Sequence, residues 1–281
     1  MRLIKIGISA VLAGLILAGC GSDQYAIEKQ YWQVQKQAEK IFRNPHASPP
    51  KELERVVNIL SNYIKKYPNN SLATEADFNI ARLYIAKEEY DKARIHLNSI
   101  IRKYKESRAT CAEAVFLIGN SYQVQDKWDL ALAQYKSIMQ DYPLTIRGLN
   151  TPIYIAQYYK IKYQPDRMVN AYREAVDYYK ALSDKYAGSP LAFNADTLVA
   201  QCYMAVKDWQ DALNTFNAML EAYKGKVSLD TIMMDMALIY NKEIKDKVKA
   251  GEILQKLIKE YPKSRLIKTA TAILKELEKN E

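Results

Sequence analysis

The sequence predicts an all-α protein: a right-handed superhelical solenoid of about five to six helical hairpins, closed by a C-terminal capping helix. Three observations predict it. Residues 76–104 and 114–142 are two copies of one pattern displaced by 38 positions, so that Ala81 falls on Gly119, Tyr84 on Tyr122, Tyr90 on Trp128, Ala93 on Ala131 and Tyr104 on Tyr142. A fixed period of this length marks a stack of like units, because one such unit cannot bury its own apolar face. Within the first copy, two apolar stripes recur at helical spacing: Ile80, Ala81, Tyr84 and Ile85, then Ala93, Leu97, Ile100 and Ile101. Composition agrees, since the chain holds only nine Gly and nine Pro, and no segment alternates as a strand would.

The small residues at 81/119 and 93/131 allow two antiparallel helices to approach closely, and the aromatics at 84/122 and 90/128 fill the space around them. A small residue, a Tyr three later, an Ala twelve later and a Tyr-Pro ending together resemble the tetratricopeptide (TPR) repeat. The period here is slightly longer than that family's usual of about 34.

Taken in order, residues 1–19 read as a cleaved secretory signal: Arg2 and Lys5 form a basic start, and Ile6 to Ala18 an apolar run too short to span a bilayer stably. Its end, Leu17-Ala18-Gly19-Cys20, resembles the bacterial lipobox, which implies that Cys20 becomes an acylated N-terminus. Each buried CH₂ of such a chain contributes about 0.8 kcal/mol, so acylation would hold the protein on a membrane without crossing it. Gly21 stands where Asp marks inner-membrane retention in enteric bacteria, so the same resemblance implies a periplasm-facing place on the outer membrane. Residues 20–24 form a short tether, about 15 Å if extended at about 3.5 Å per residue, and residues 25–281 the solenoid.

Ile27, Tyr31, Val34, Ala38 and Ile41 make one apolar stripe, closed by Asn44-Pro45. Ser48-Pro49 reads as an N-cap followed by Pro at the first helical position, opening a second helix that ends at Tyr67-Pro68. After the two clean copies, Ala156 and Tyr159 start a third whose second helix, Asp166 to Tyr186, is nearly two turns longer. Ala200, Tyr203, Trp209, Ala212 and Tyr223 restore the register. A last repeat has Ala237, Tyr240, Tyr261 and an Ala250 that comes one residue late. The capping helix, Arg265 to Lys279, places Leu266, Ala270, Ile273, Leu274 and Leu277 on one face.

The formal charge of +9 is spread along the chain and reads chiefly as solvated outer faces, with contact to anionic lipid head groups as the sharper reading. A secreted chain of this kind is not expected to bind nucleic acid. Cys111 and Cys202 occupy different places in repeats too far apart for a disulfide, and are expected as small buried core residues. His46 and His96 have no His or Cys partner at ligand spacing, so no metal site is expected. Glycine-rich phosphate loops and nucleophile elbows are absent from the sequence, so neither a cofactor nor catalysis is expected. The 22 Tyr suggest glycan stacking less than packing, since most fall at repeat landmarks.

In TPR geometry the first helix of each hairpin lines the inner side. The residues after the small landmark are Arg82, Asn120, Gln157 and Gln201, and those three before it are Phe78, Phe116, Ile153 and Thr197. Amides offer both donor and acceptor, as a peptide backbone does, and the apolar positions are expected to accept side chains of a bound peptide. The rival surface is the first hairpin, with Tyr25, Trp32 and Phe42.

A lipobox followed by TPR-like hairpins over roughly Tyr25 to Tyr261 resembles the BamD family of lipoproteins in outer-membrane β-barrel assembly. The chain departs from that family in its length, in its third repeat and at Lys105 and Lys224, which replace the Pro of the Tyr-Pro ending. The resemblance implies a non-enzymatic adaptor that binds barrel-assembly proteins or their unfolded substrates. A cell-envelope TPR lipoprotein of the Tol-Pal or peptidoglycan-coordination kind is the alternative, and a glycan-binding lipoprotein the more remote one.

Overall fold

The computed structural model describes residues 11–279, with side chains described for residues 24–278. The basic start of the leader lies outside the described residues, as does the Cys20 side chain. The described chain is all-α and divides into two units, residues 1–148 and 149–281.

The first unit holds α1 (Val11–Arg43), α2 (Pro50–Lys66), α3 (Ser71–Ala86), α4 (Tyr90–Lys103), α5 (Arg108–Gln123), α6 (Trp128–Asp141) and the first residues of α7 (Ile146–Ile161). The second unit holds the remainder of α7, then α8 (Pro165–Lys185), α9 (Pro190–Ala205), α10 (Trp209–Ala222), α11 (Asp230–Leu238), α12 (Lys247–Glu260) and α13 (Ile267–Lys279). Successive helices within each unit pair as antiparallel hairpins. Among the described residues no helix is long and apolar enough to cross a membrane. The stretch 20–24, expected as an extended tether, is part of the continuous helix α1. At about 1.5 Å per residue it reaches less than half the expected span.

Each hairpin is built on one spacing, counted back from the Tyr that ends its second helix. Tyr67, Tyr104, Tyr142, Tyr186, Tyr223 and Tyr261 are the C-caps of α2, α4, α6, α8, α10 and α12. Eleven residues earlier stand Val56, Ala93, Ala131, Ala175, Ala212 and Ala250, and seven earlier Leu60, Leu97, Tyr135, Tyr179, Phe216 and Leu254, every one buried. Burying each large member of this set stabilises the fold by about 1.5–3 kcal/mol. Across the hairpin sits the small residue of the first helix. At Gly119 an added Cβ would lie 2.5 Å from the Tyr135 ring, so the absent side chain is what admits that ring.

The turn inside each hairpin is equally regular. Glu88, Asp126, Tyr163, Lys207 and Lys245 all have positive φ, between 54° and 67°. The N–H that follows closes the turn onto a landmark Tyr carbonyl: Glu89 to Tyr84 (2.8 Å), Lys127 to Tyr122 (3.0 Å), Gln164 to Tyr159 (2.9 Å), Asp208 to Tyr203 (2.9 Å) and Asp246 to Tyr240 (2.9 Å). This resembles a helix C-cap in which one left-handed residue lets the chain fold back on its own last turn.

Two irregularities of the sequence find their physical form here. The α8 helix has 21 residues where α4, α6, α10 and α12 have 14. The extra seven precede Tyr172, and seven residues make nearly two whole turns, so the buried face resumes in register at Ala175. The late Ala250 follows a π-helical turn, Ile239–Ile244, which takes up one additional residue. The predicted start of α2 is corrected: its N-cap is Pro49, and the Ser48 hydroxyl turns back to the Asn44 carbonyl (3.0 Å) instead of capping. The final helix begins at Ile267, with Leu266 in the preceding turn; Ala270 and Leu277 are buried, as its predicted face requires.

The open end of two hairpins is tied by an acid and the closing Tyr. Tyr104 donates to Asp77 Oδ2 (2.8 Å), and Tyr223 to Asp196 Oδ2 (2.7 Å). Asp77 is buried and also receives Lys103 Nζ at 2.7 Å, with His96 Nε2 3.4 Å from its other oxygen. Burial alone would raise its pKa, but the bonds from His96, Lys103 and Tyr104 outweigh it and hold the carboxyl below its ordinary value. Burial first, and then the Asp196 carboxylate, push the Tyr223 hydroxyl up to about 12.

Two predictions follow from this packing. Gly119→Ala drives its Cβ into Tyr135 and should destabilise the protein by about 1–3 kcal/mol in urea unfolding. In a Tyr135→Leu background most of that loss should vanish, because Leu97 already occupies the same position opposite Ala81. The second concerns acid. A carboxyl with a depressed folded pKa contributes stability above its unfolded pKa of about 3.9 and loses it as pH falls toward the folded value. Asp77→Asn should therefore cost about 1–3 kcal/mol at pH 7, and its difference from the parent protein should shrink in unfolding measured at pH 3.

Candidate functional site

The inner helices carry every residue expected to line a peptide groove, but the two units present different chemistry. In the first unit Phe78 and Phe116 are buried, which corrects their expected role as acceptors of partner side chains. Phe78 packs in a cluster with Ala81, Leu97, Ile100, Ala114, Leu117 and Ile118. The Phe116 ring lies 5.3 Å from that of Tyr135. The physical reason is that a first helix is flanked by its own partner and by the next hairpin, so the position three before the small residue faces a neighbour rather than solvent.

Guanidinium groups cover both rings. Arg82 lies 5.7 Å above the Phe78 ring and Arg147 3.8 Å above that of Phe116. Both are held by acids. Arg82 donates to Glu75 Oε1 at 2.6 Å and to Asn79 Oδ1 at 3.2 Å, and its second terminal nitrogen stands 4.0 Å from Glu113. Arg147 meets Glu113 with both a 2.5 Å and a 3.0 Å bond. Glu75, Arg82, Glu113 and Arg147 thus form a ladder of alternating charge along α3, α5 and the start of α7. Half-exposed pairs of this kind contribute only about 0–1 kcal/mol each to stability. What they do is hold the two guanidinium groups over the Phe78 and Phe116 rings.

Sequence reasoning had Arg82 on this surface and missed Asn79 and Arg147. Asn79 is buried and donates to the Tyr31 hydroxyl (3.0 Å) and to Gln35 (3.4 Å), which ties α3 to α1. The signal for Arg147 was faint: it falls one turn before the position that follows Glu113 by a full repeat. Asn120 is half-buried, and its amide makes no hydrogen bond within the described residues.

In the second unit the two amides are open to solvent. Gln157 on α7 and Gln201 on α9 are exposed, with no hydrogen bond from either side chain within the described residues. Ile153 is half-buried, and Thr197 spends its hydroxyl on the Phe193 carbonyl of its own helix (2.8 Å). Cys111 and Cys202 are free and buried, as expected. His96 bonds the Asp77 carbonyl at 3.0 Å, and His46 is exposed. The rival surface on the first hairpin is also open: Trp32 is 57% exposed, with Lys36 Nζ 3.5 Å above its ring, and Tyr25 and Phe42 are exposed as well.

Comparison with known proteins adds three findings. No curated protein matches the chain. Among solved structures the chain is similar to the apo form of RapI, with 14% identity over 91% of this chain and 71% of that one, at a TM-score of 0.46. It is also similar to a tetratricopeptide repeat protein from Parabacteroides merdae, with 12% identity over 89% of this chain and 99% of that one, at a TM-score of 0.33. The TPR2AB domain of yeast Sti1 in its pHSP90 complex gives 11% identity over 89% and 99%, also at 0.33. The third finding is a family model: residues 75–107, 113–145 and 232–264, which carry the hairpins α3–α4, α5–α6 and α11–α12, each match the tetratricopeptide repeat.

Proposed function

We propose that the chain is a lipid-anchored scaffold of the bacterial cell envelope. It holds protein partners along the first helices of its hairpins and serves outer-membrane protein assembly in the manner of the BamD family. The observation that carries the binding part is the set of unspent polar groups on those helices. Gln157 and Gln201 are exposed with free amides, and in the first unit Asn120 is half-buried with no hydrogen bond from its amide among the described residues. Side chains that both donate and accept, presented along the first helices of stacked hairpins, suit an extended peptide better than a small metabolite.

The anchor and its place rest on the sequence alone, on Leu17-Ala18-Gly19-Cys20 directly after the apolar run and on Gly21 after it. Their test is separate from that of binding. Cys20→Ser should move the protein from the membrane fraction to the soluble periplasm, and recovery of the variant wholly in salt-washed membranes would contradict the anchor.

For binding, Gln157→Ala combined with Gln201→Ala should lower recovery of partners from detergent-solubilised membranes. Each lost hydrogen bond is worth about 0.5–1.5 kcal/mol, so the pair should weaken binding by roughly an order of magnitude. Thermal unfolding should not change, because neither amide has an intramolecular partner among the described residues. If the double variant keeps every partner at parental yield while Trp32→Ala loses them, recognition belongs to the first hairpin and this reading fails.

A further inference from the structure

The second unit contains a cleft of about 470 Å³ between α8 and the corner that joins α9 to α10. That volume falls within the range of small-ligand sites, about 300–1,000 Å³. The lengthening of α8 helps to build it. Val169 belongs to the seven extra residues and forms one wall, and Val176 and Val206 complete the apolar lining. None of Ile153, Gln157, Thr197 and Gln201 lines it, so the cleft is distinct from the inner-helix surface.

Two features make it more than a packing gap. The first is Tyr172, which lines the cleft and is only 5% exposed, yet whose hydroxyl has no hydrogen-bond partner among the described residues. The hydroxyl is the polar end of an otherwise buried side chain, and it is free to bond a ligand group in the cleft. The side chain at this position is the repeat's own aromatic landmark, matching Tyr90, Trp128 and Trp209 at the starts of α4, α6 and α10. Only in α8 do extra turns precede it and enclose it.

The second feature is charge. Asp177, Asp208 and Asp211 line the cleft, opposed by Arg173 and Lys180. Asp177 is exposed, and its carboxylate makes no hydrogen bond among the described residues but interacts with the Lys180 charge. Asp208 caps α10 through Oδ1, which accepts the Asp211 N–H at 3.3 Å, and Asp211 Oδ1 accepts Asn214 Nδ2 at 3.3 Å. Each of these acids therefore keeps a second oxygen. Of the two cations, Lys180 donates to the Tyr203 hydroxyl at 3.0 Å and keeps its charge, which also interacts with Asp211 and Asp177. Three carboxylates against two cations leave the cleft one negative charge in excess, within a chain of formal charge +9.

We infer that this cleft accepts a lysine or arginine side chain of a partner peptide, with its aliphatic stem along Val169, Val176 and Val206 and its cationic head among Asp177, Asp211 and the Tyr172 hydroxyl. An amphipathic side chain of this kind matches the site's division into an apolar wall and an acidic end. The inference stands apart from the inner-helix reading. Failure of one leaves the other intact.

The test uses the full chain in detergent micelles and fluorescein-labelled peptides Ala-Ala-Gly-X-Gly-Ala-Ala, with X as Lys, Arg, norleucine or Glu, followed by anisotropy. The Lys or Arg peptide should bind, and the norleucine and Glu peptides should not. Asp177→Asn should weaken the bound peptide at least tenfold, as expected for loss of one charge-assisted bond. Tyr172→Phe should weaken it several-fold, and Arg173→Gln should strengthen it. Gln157→Ala with Gln201→Ala should leave it unchanged. Asp177→Asn is isosteric at an exposed position that makes no hydrogen bond among the described residues, so it remains decisive if Tyr172→Phe perturbs folding. The inference is overturned if Asp177→Asn has no effect, if the Glu peptide binds as tightly, or if chitotriose rather than peptide binds and Asp177→Asn abolishes it.

Discussion

The structure depends on one contact, the approach of a small residue on the first helix of a hairpin to a large side chain on the second. Gly119 against Tyr135 is its most demanding form, because the ring occupies space that even a methyl group would claim. Everything else in the hairpin follows from this approach. The two helix axes can come close only there, the apolar side chains to either side then interlock, and the turn must reverse the chain within a few residues. The left-handed residue at Glu88, Asp126, Tyr163, Lys207 and Lys245 is the cost of that tight reversal. None of these is a glycine, so each carries a conformational penalty of about 1–2 kcal/mol that the packing outweighs.

The constraint also explains how the repeat tolerates change in length. An insertion is harmless where it leaves the buried face in phase with the contact. Seven residues at the start of α8 satisfy that, since they add nearly two complete turns before Tyr172. A single residue cannot, because it would rotate the face by about 100°. The π-helical turn Ile239–Ile244 absorbs it before α12 begins, and Ala250, Leu254 and Leu257 are buried as their counterparts are. The two devices have different consequences. The π turn preserves the hairpin, whereas the long α8 helps to enclose a cleft at an aromatic landmark that elsewhere opens its helix.

The polar groups divide by the same geometry. Where a hairpin opens, Asp77 and Asp196 are drawn in by the closing Tyr hydroxyls, and these acids serve stability. On the first helices charge stays at the surface: Arg82 and Arg147 stand over Phe78 and Phe116, with Glu113 between them. An arginine over a ring keeps its donor edge in solvent while its face is buried. A surface of this kind retains polar capacity although the aromatics beneath it are core.

The period of 38, the pairing of small and large residues and the closing tyrosines are local enough to be legible in the sequence, and they determine that the chain folds as TPR-like hairpins. Legible too were the buried state of Cys111 and Cys202 and the exposure of Gln157 and Gln201, since each follows from its place in the repeat. Spacing did not reveal which neighbour a side chain meets. Phe78 and Phe116 occupy the register of a groove, but whether an apolar residue there is lining or core depends on the next hairpin and on an arginine from the same or a later helix. Likewise Tyr172 and Asp177 read as ordinary members of a long helix. Only the opposing corner of α9 and α10 makes them parts of a cleft, because enclosure is a property of two surfaces and each surface is encoded in a different stretch of chain.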